Sequence, residues 1–256
     1  MLILLPPSES KTGRRRGKPA DPATWSFPEL TETRTTVAKH LRRVSESPTA
    51  TTDLGVTPGL AGEVANNLVL DTAPSAPAAE VYTGVLYDAL GLATMDAAAR
   101  RRANRWLVIV SALHGAVRPT DRITPYRLSM DVNLPGLGPV AAAWRPILDG
   151  PLAEAAGREV VVDCRSSTYA AAWTPRGDVA DRWVQVRVPG ASHMAKHTRG
   201  LVARHLCIAG ERARTPERLA EIVGSAFDVG LTPPAKPGKP WILDALTRPE
   251  LTQSDG

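Results

Sequence analysis

The chain has 256 residues, 43% of them hydrophobic and 22% charged, with a formal net charge of +5. This composition excludes disorder throughout, and the length allows a core that needs no covalent or metal staple. With only two cysteines, Cys164 and Cys207, a disulfide framework and a structural zinc site are excluded, and a reducing cytosol fits.

The apolar run Met1 to Pro7 predicts a short buried strand ending at a loop that carries Ser8, Glu9, Ser10 and Lys11. It is too short for a secretory h-region, and no later segment reaches transmembrane length. A cytoplasmic protein without a membrane partner is therefore expected. The loop continues through Arg14, Arg15, Arg16 and Lys18 between Gly13 and Gly17, with no apolar periodicity, which predicts a flexible basic segment over 11–20.

Leu30, Val37 and Leu41 predict a helix from Pro28 to Val44, and a second helix is expected over Gly62 to Leu70. Thr72 to Ala79 reads as a Pro/Ala linker. Val81, Val85, Leu86, Leu90 and Leu92 then form one helical stripe, and Ala97 to Arg105 continues in helix. Trp106 to Val110 predicts a strand buried on both faces, at the middle of a sheet. Val160 to Cys164 repeats the theme, with Arg165 to Tyr169 just beyond its end, and Trp183 to Val188 alternates as a half-exposed strand does. A helix follows from Ser192 or Ala195 to Ala209, and Thr215-Pro216-Glu217 opens another with Thr215 as its cap. Residues 252–256 are expected to fray. No internal repeat occurs, so one mixed α/β domain is predicted over 1–256.

Three constellations could carry chemistry. Arg118, Asp121, Arg122, Tyr126 and Arg127 follow a central strand, where ligands bind in open sheets with helices on both faces. Arginine there can fork onto a phosphate or carboxylate while Asp121 fixes its geometry; alternatively the same residues pin a loop. On a helical wheel His193, Lys196, His197, Arg199, Gly200 and Arg204 share one arc, which predicts a cationic face with Gly200 admitting a ligand or another backbone. Leu134-Pro135-Gly136-Leu137-Gly138-Pro139 resembles the hairpin of helix-hairpin-helix motifs, in which Gly136 and Gly138 let backbone donors face a phosphate. Cys164 reads as a core thiol. No metal-ligand spacing, nucleophile elbow, Walker A loop or dinucleotide fingerprint is present, and no cofactor is indicated.

The chain resembles the YaaA family of peroxide stress proteins. The similarity runs through Met1 to Ser8, Val81-Tyr82-Thr83-Gly84, Ser111 to Pro119, Thr124 to Met130 and Ala195 to Arg204, in that order. The resemblance implies a single α/β domain of unusual topology with a basic cleft, cytosolic protection of DNA against peroxide, and duplex binding through a helix-hairpin-helix-like element. It places Lys11, Arg118, Asp121, Tyr126, Arg127, Lys196, Arg199 and Arg204 at a shared site. The first loop departs from the family's shorter Ser-Pro-Ala-Lys.

Two functions from different classes fit these residues. In one, duplex DNA phosphates are bound without sequence preference by Lys11, Arg14, Arg15, Arg16, Arg204, Gly136 and Gly138. In the other, an enzyme takes a small phosphorylated, nucleotide-like or carboxylated substrate. Arg118, Arg127 and Arg199 then hold the anion, Lys196 is nucleophile or proton donor, and Asp121 and Tyr126 are acid/base groups. A third reading gives the arginines to an acidic protein partner. The sequence does not set the oligomeric state.

Overall fold

The structure, a computed structural model, describes residues 1–190 and 192–248. The fraying expected over 252–256 and the side chain of His193 lie outside the described residues. The strands are β1 (Leu2–Leu5), β2 (Ala76–Pro77), β3 (Leu107–Ser111), β4 (Gly115–Val117), β5 (Arg122–Ile123), β6 (Asn133–Leu134), β7 (Gly138–Pro139), β8 (Val161–Asp163), β9 (Trp183–Arg187), β10 (Phe227–Thr232) and β11 (Trp241–Thr247). The α-helices are α1 (Thr31–Ser45), α2 (Ala50–Asp53), α3 (Ala61–Ala65), α4 (Ala78–Val81), α5 (Val85–Leu90), α6 (Ala97–Trp106), α7 (Val140–Ala156), α8 (Ser167–Ala170), α9 (Ser192–Ala209) and α10 (Pro216–Gly224).

Seven strands form one mixed sheet in the order β10-β11-β9-β8-β1-β3-β4. The continuous apolar run of β1 suits its central place: Ile3 aligns with Leu107 of β3 and with Val162 of β8, both parallel. All four β1 side chains are buried, as a strand covered on both faces requires. From β1 the chain passes to β3 on one side, whereas from β8 it passes to β9 on the other. The connections leaving the carboxyl ends of β1 and β8 thus diverge, which makes this edge the switch point of the sheet, the place where ligands bind in open sheets of this kind.

The mixed α/β class agrees with the sequence, but some elements differ. The apolar stripe from Val81 to Leu92 is two helices, α4 and α5, broken at Tyr82–Gly84, where Gly84 has φ 92°. The Pro/Ala linker contains β2, which pairs with β5. The helix expected over Gly62–Leu70 is shortened to α3 and a single 3₁₀ turn, Asn66–Leu68. Strands β10 and β11, not foreseen, form an antiparallel hairpin across the proline-rich segment. Thr215 caps α10 as expected, accepting from Arg218 N at 3.2 Å. Among the described residues no helix is long and apolar enough to cross a membrane.

The predicted cationic face of α9 is largely a packing face. A Cβ on Gly200 would collide with the Leu86 carbonyl and stand 2.9 Å from Ala89 Cβ, so α5 lies against α9 backbone to backbone. Glycine there admits a second helix rather than a ligand. Arg204 donates to the Leu90 and Gly91 carbonyls at 3.1 and 2.8 Å, closing the C-terminus of α5. The opposite arc reaches the interior through Val202 and Leu206.

Candidate active site at the carboxyl ends of the central strands

The loop after β1 is clasped onto the break between α4 and α5. Lys11 and Tyr82 form an antiparallel bridge, Thr12 N donates to Val81 O at 2.9 Å, and the Ser8 hydroxyl bonds to Thr83 O. This clasp brings Lys11 over an aromatic floor made by Tyr82 and Tyr126. Its Nζ stands 4.5 Å from the centre of the Tyr126 ring and 5.8 Å from that of Tyr82, and donates to Ser8 O at 2.6 Å.

The floor is a hydrogen-bonded chain. The Tyr82 and Tyr126 hydroxyls are 3.0 Å apart, and Tyr126 meets the Ser111 hydroxyl at 2.7 Å at the end of β3. Ser111 Oγ also accepts from His114 N at 3.1 Å, and the His114 ring lies edge-on to Tyr126 with centroids 5.2 Å apart. Burial holds both phenols well above their ordinary pKa, so they remain neutral. Burial, with the Arg34 and Lys11 charges adding, pushes His114 down to about 3.

The rim is charged. Arg127 Nη1 reaches Glu63 at 3.3 Å and Glu9 O at 3.4 Å, and Lys196 Nζ stands 3.5 Å from Glu9 Oε1. The buried Asn67 fixes Arg127 from behind by accepting from its N at 2.8 Å and donating to its carbonyl at 3.0 Å. Burial, aided by the neighbouring Arg127 charge, lowers the Lys11 ammonium to about 7, against the opposing pull of Glu63 and Glu9. Its amine is therefore partly neutral at physiological pH, the state in which a lysine accepts a proton or attacks a carbonyl.

Of the residues singled out by sequence, Lys11, Tyr126, Arg127 and Lys196 converge here. Lys196 is exposed and ion-paired, so the lysine withdrawn from water is Lys11. Asp121 instead staples its own loop, accepting from Ser26 N at 3.1 Å, Ser26 Oγ at 2.9 Å and Arg118 N at 2.7 Å. Arg118 bonds to Arg105 O and covers Phe27, and Arg199 Nε donates to Val186 O at 3.1 Å. Cys164 is buried, with its thiol pushed up to about 12 by burial, which makes it inert.

The hairpin β6–β7 has Gly136 at φ 80° and Gly138 at φ 92° and leads directly into α7. The segment before β6 is not helical; α1 lies beside the hairpin instead, and its His40 Nδ1 is 3.1 Å from Pro135 O. Arg14, Arg15 and Arg16 are exposed, with Arg14 paired to Glu80. Among the described residues no three His, Cys, Asp or Glu side chains gather in a metal-binding group.

Comparison with known proteins decides the family, because the sequence profile of the peroxide stress protein YaaA matches residues 1–229. The chain belongs to the YaaA peroxide stress protein family. Its relatives include a UPF0246 protein of Streptomyces coelicolor, 48% identical over 96% of this chain and 98% of the relative. A UPF0246 protein of Corynebacterium efficiens is 39% identical over 88% and 93% respectively. A UPF0246 protein of Roseobacter denitrificans is 30% identical over 67% and 73%.

In this YaaA-family chain the residues that sequence reasoning missed as site members are Tyr82, Ser111, His114 and Asn67. Tyr82 sat in a stripe read as continuous helix, yet the Thr83-Gly84 pair beside it was the signal of a break. Ser111 and His114 carried the ordinary signal of polar residues at the end of a buried strand. Asn67 carried none.

Proposed function

We propose that this YaaA-family protein takes a small anionic substrate, phosphorylated or carboxylated, into a crevice beyond the carboxyl ends of β1 and β3. Lys11 acts as proton acceptor or nucleophile, and Arg127 and Lys196 hold the anionic group. The observation that carries this reading is the Lys11 amine itself, half-buried over the Tyr126 ring beyond the ends of β1 and β3, with burial lowering its pKa to about 7. The floor of neutral hydroxyls from Tyr82, Tyr126 and Ser111 offers donors and acceptors to a polar group seated above it. The family's connection with peroxide stress supplies the setting.

A second reading gives the protein to duplex DNA, and the hairpin favours it. Two glycines with positive φ and an exposed turn leading into α7 suit backbone contacts to phosphate, and Arg15 and Arg16 are exposed cations elsewhere on the surface. Against it, of the cations it calls on, Arg204 spends donors on the Leu90 and Gly91 carbonyls and Arg14 is paired to Glu80.

Both readings are tested by thermal-shift and calorimetric screening of phosphorylated and carboxylated metabolites, beside anisotropy of a labelled random duplex at two salt concentrations. A substrate in the crevice predicts a small anion whose affinity drops at least about tenfold in Lys11→Met and in Arg127→Met. If no small anion binds, the crevice reading fails. If the duplex binds with an affinity that falls steeply with salt, and Arg15→Ala/Arg16→Ala flattens the slope, the second reading replaces it.

A further inference from the structure

A separate cavity of about 370 Å³ lies on the far side of His114, walled by one face of α1. Arg34, Ala38 and Arg42 face it at successive turns, and Trp25, Leu70 and Leu113 give it apolar walls. The chemistry inside is unusual for a packed interior. Arg34 is 3% exposed and His114 4%, and in each one buried nitrogen, Arg34 Nη1 and His114 Nε2, has no hydrogen-bond partner among the described residues. The Nε of Arg42, at the same wall, is likewise without a partner, although its Nη2 is paired to Asp71, which also lines the cavity. Unpaired buried polar groups cost free energy; the two arginine nitrogens are obligate donors, and neutral His114 joins them in its Nε2–H tautomer, so the cavity calls for an acceptor.

The rest of Arg34 is fully used. Nε donates to His114 O at 2.9 Å, and Nη2 donates to Ala116 O at 2.7 Å and Ser26 O at 2.8 Å. The guanidinium is thus locked against the β3–β4 turn, with Nη1 left over. We propose that this cavity is a binding site for a small organic carboxylate with an apolar body, distinct from the Lys11 crevice. One carboxylate oxygen meets Arg34 Nη1 and the other His114 Nε2, as a charged planar donor and a neighbouring ring nitrogen allow. The apolar body lies along Trp25, Leu113 and Ala38, and the size falls within the range of small-molecule pockets. A carboxylate fits better than inorganic phosphate because most of the wall beyond the donors is apolar. This site does not depend on the function proposed for the crevice. The two share only His114, whose ring also stands edge-on to Trp25 with centroids 4.8 Å apart.

The test is isothermal titration of the full chain with 2-naphthoate, its neutral amide, and inorganic phosphate. Wild type is expected to bind naphthoate one to one and to bind the amide and phosphate at least about tenfold more weakly. Arg34→Gln removes the donor but could unfold the β3–β4 turn. Ala38→Phe therefore serves as the second variant, filling the cavity from a half-buried helix position, and it should weaken naphthoate by at least about tenfold. Lys11→Met should leave naphthoate affinity within about twofold. The proposal is overturned by the absence of saturable binding, by equal affinity for the amide, by undiminished binding in Ala38→Phe, or by loss of binding in Lys11→Met, which would place the ligand in the crevice.

Discussion

Half-buried Lys11 and buried His114 leave the same mark on the pH dependence of stability, each in its own pH window. Lys11 titrates near 7 in the folded chain against 10.5 when unfolded. Between those values the unfolded chain holds more protons, so stability rises with pH from about 7 to 10.5, and below 7 the buried cation is a liability. Replacing it by Met removes this slope. Wild type should therefore gain about 2 to 4 kcal/mol relative to Lys11→Met between pH 7 and pH 10 in urea unfolding, whereas parallel curves would refute a buried Lys11. His114 titrates near 3 against 6.5 unfolded. Its contribution is complete above pH 6.5 and is lost as pH falls toward 3, so His114→Phe, which keeps an aromatic ring but cannot ionise, should gain about 3 kcal/mol on wild type between pH 7 and pH 4. At this scale the sequence was only partly legible. Lysines 11 and 196 both stood in suggestive contexts, but which one is withdrawn from water depends on a bridge to Tyr82, 71 positions away from Lys11.

Helix packing was the least readable level. The period of α9 correctly marked a helix with two faces, yet polar residues on one of them do not show that the face is wet. Arg204 is spent on the C-terminus of α5, and Gly200 is the point where the two helices nearly touch. Gly200→Ala drives a methyl into the Leu86 carbonyl and should cost about 1 to 3 kcal/mol, read as a lowered urea midpoint with an unchanged slope. The turn between β3 and β4 has the same character. Gly115 has φ 70°, and a Cβ there would stand 2.6 Å from the Trp144 ring, whose Nε1 holds Ala112 O at 2.8 Å. Central strands were legible because a strand buried on both faces must be apolar along its length, as β1 is throughout and β3 is up to Ser111. The hairpin β10–β11 was not, since its strands alternate with exposed residues and no two-residue turn signal joins them.

For the whole molecule, membership of the YaaA family sets the physiological test. In a bacterium deleted for its own family member, the wild-type gene should restore growth in hydrogen peroxide, while Lys11→Met should fall short despite normal protein levels. Full rescue by Lys11→Met would detach the crevice from the stress role. The order of strands in the sheet also bears on how the chain is made. Leu2–Leu5 leaves the ribosome well before either neighbour, since Leu107 comes about 100 residues later and Val161 about 150. At ordinary elongation rates of ~5–20 residues per second, the central strand waits roughly 10 to 30 seconds with one or both edges bare. Over that interval four consecutive aliphatic residues are a template for pairing with other nascent chains. Slower translation should therefore lower the soluble yield of this protein, and a chaperone that shields extended apolar segments should restore it.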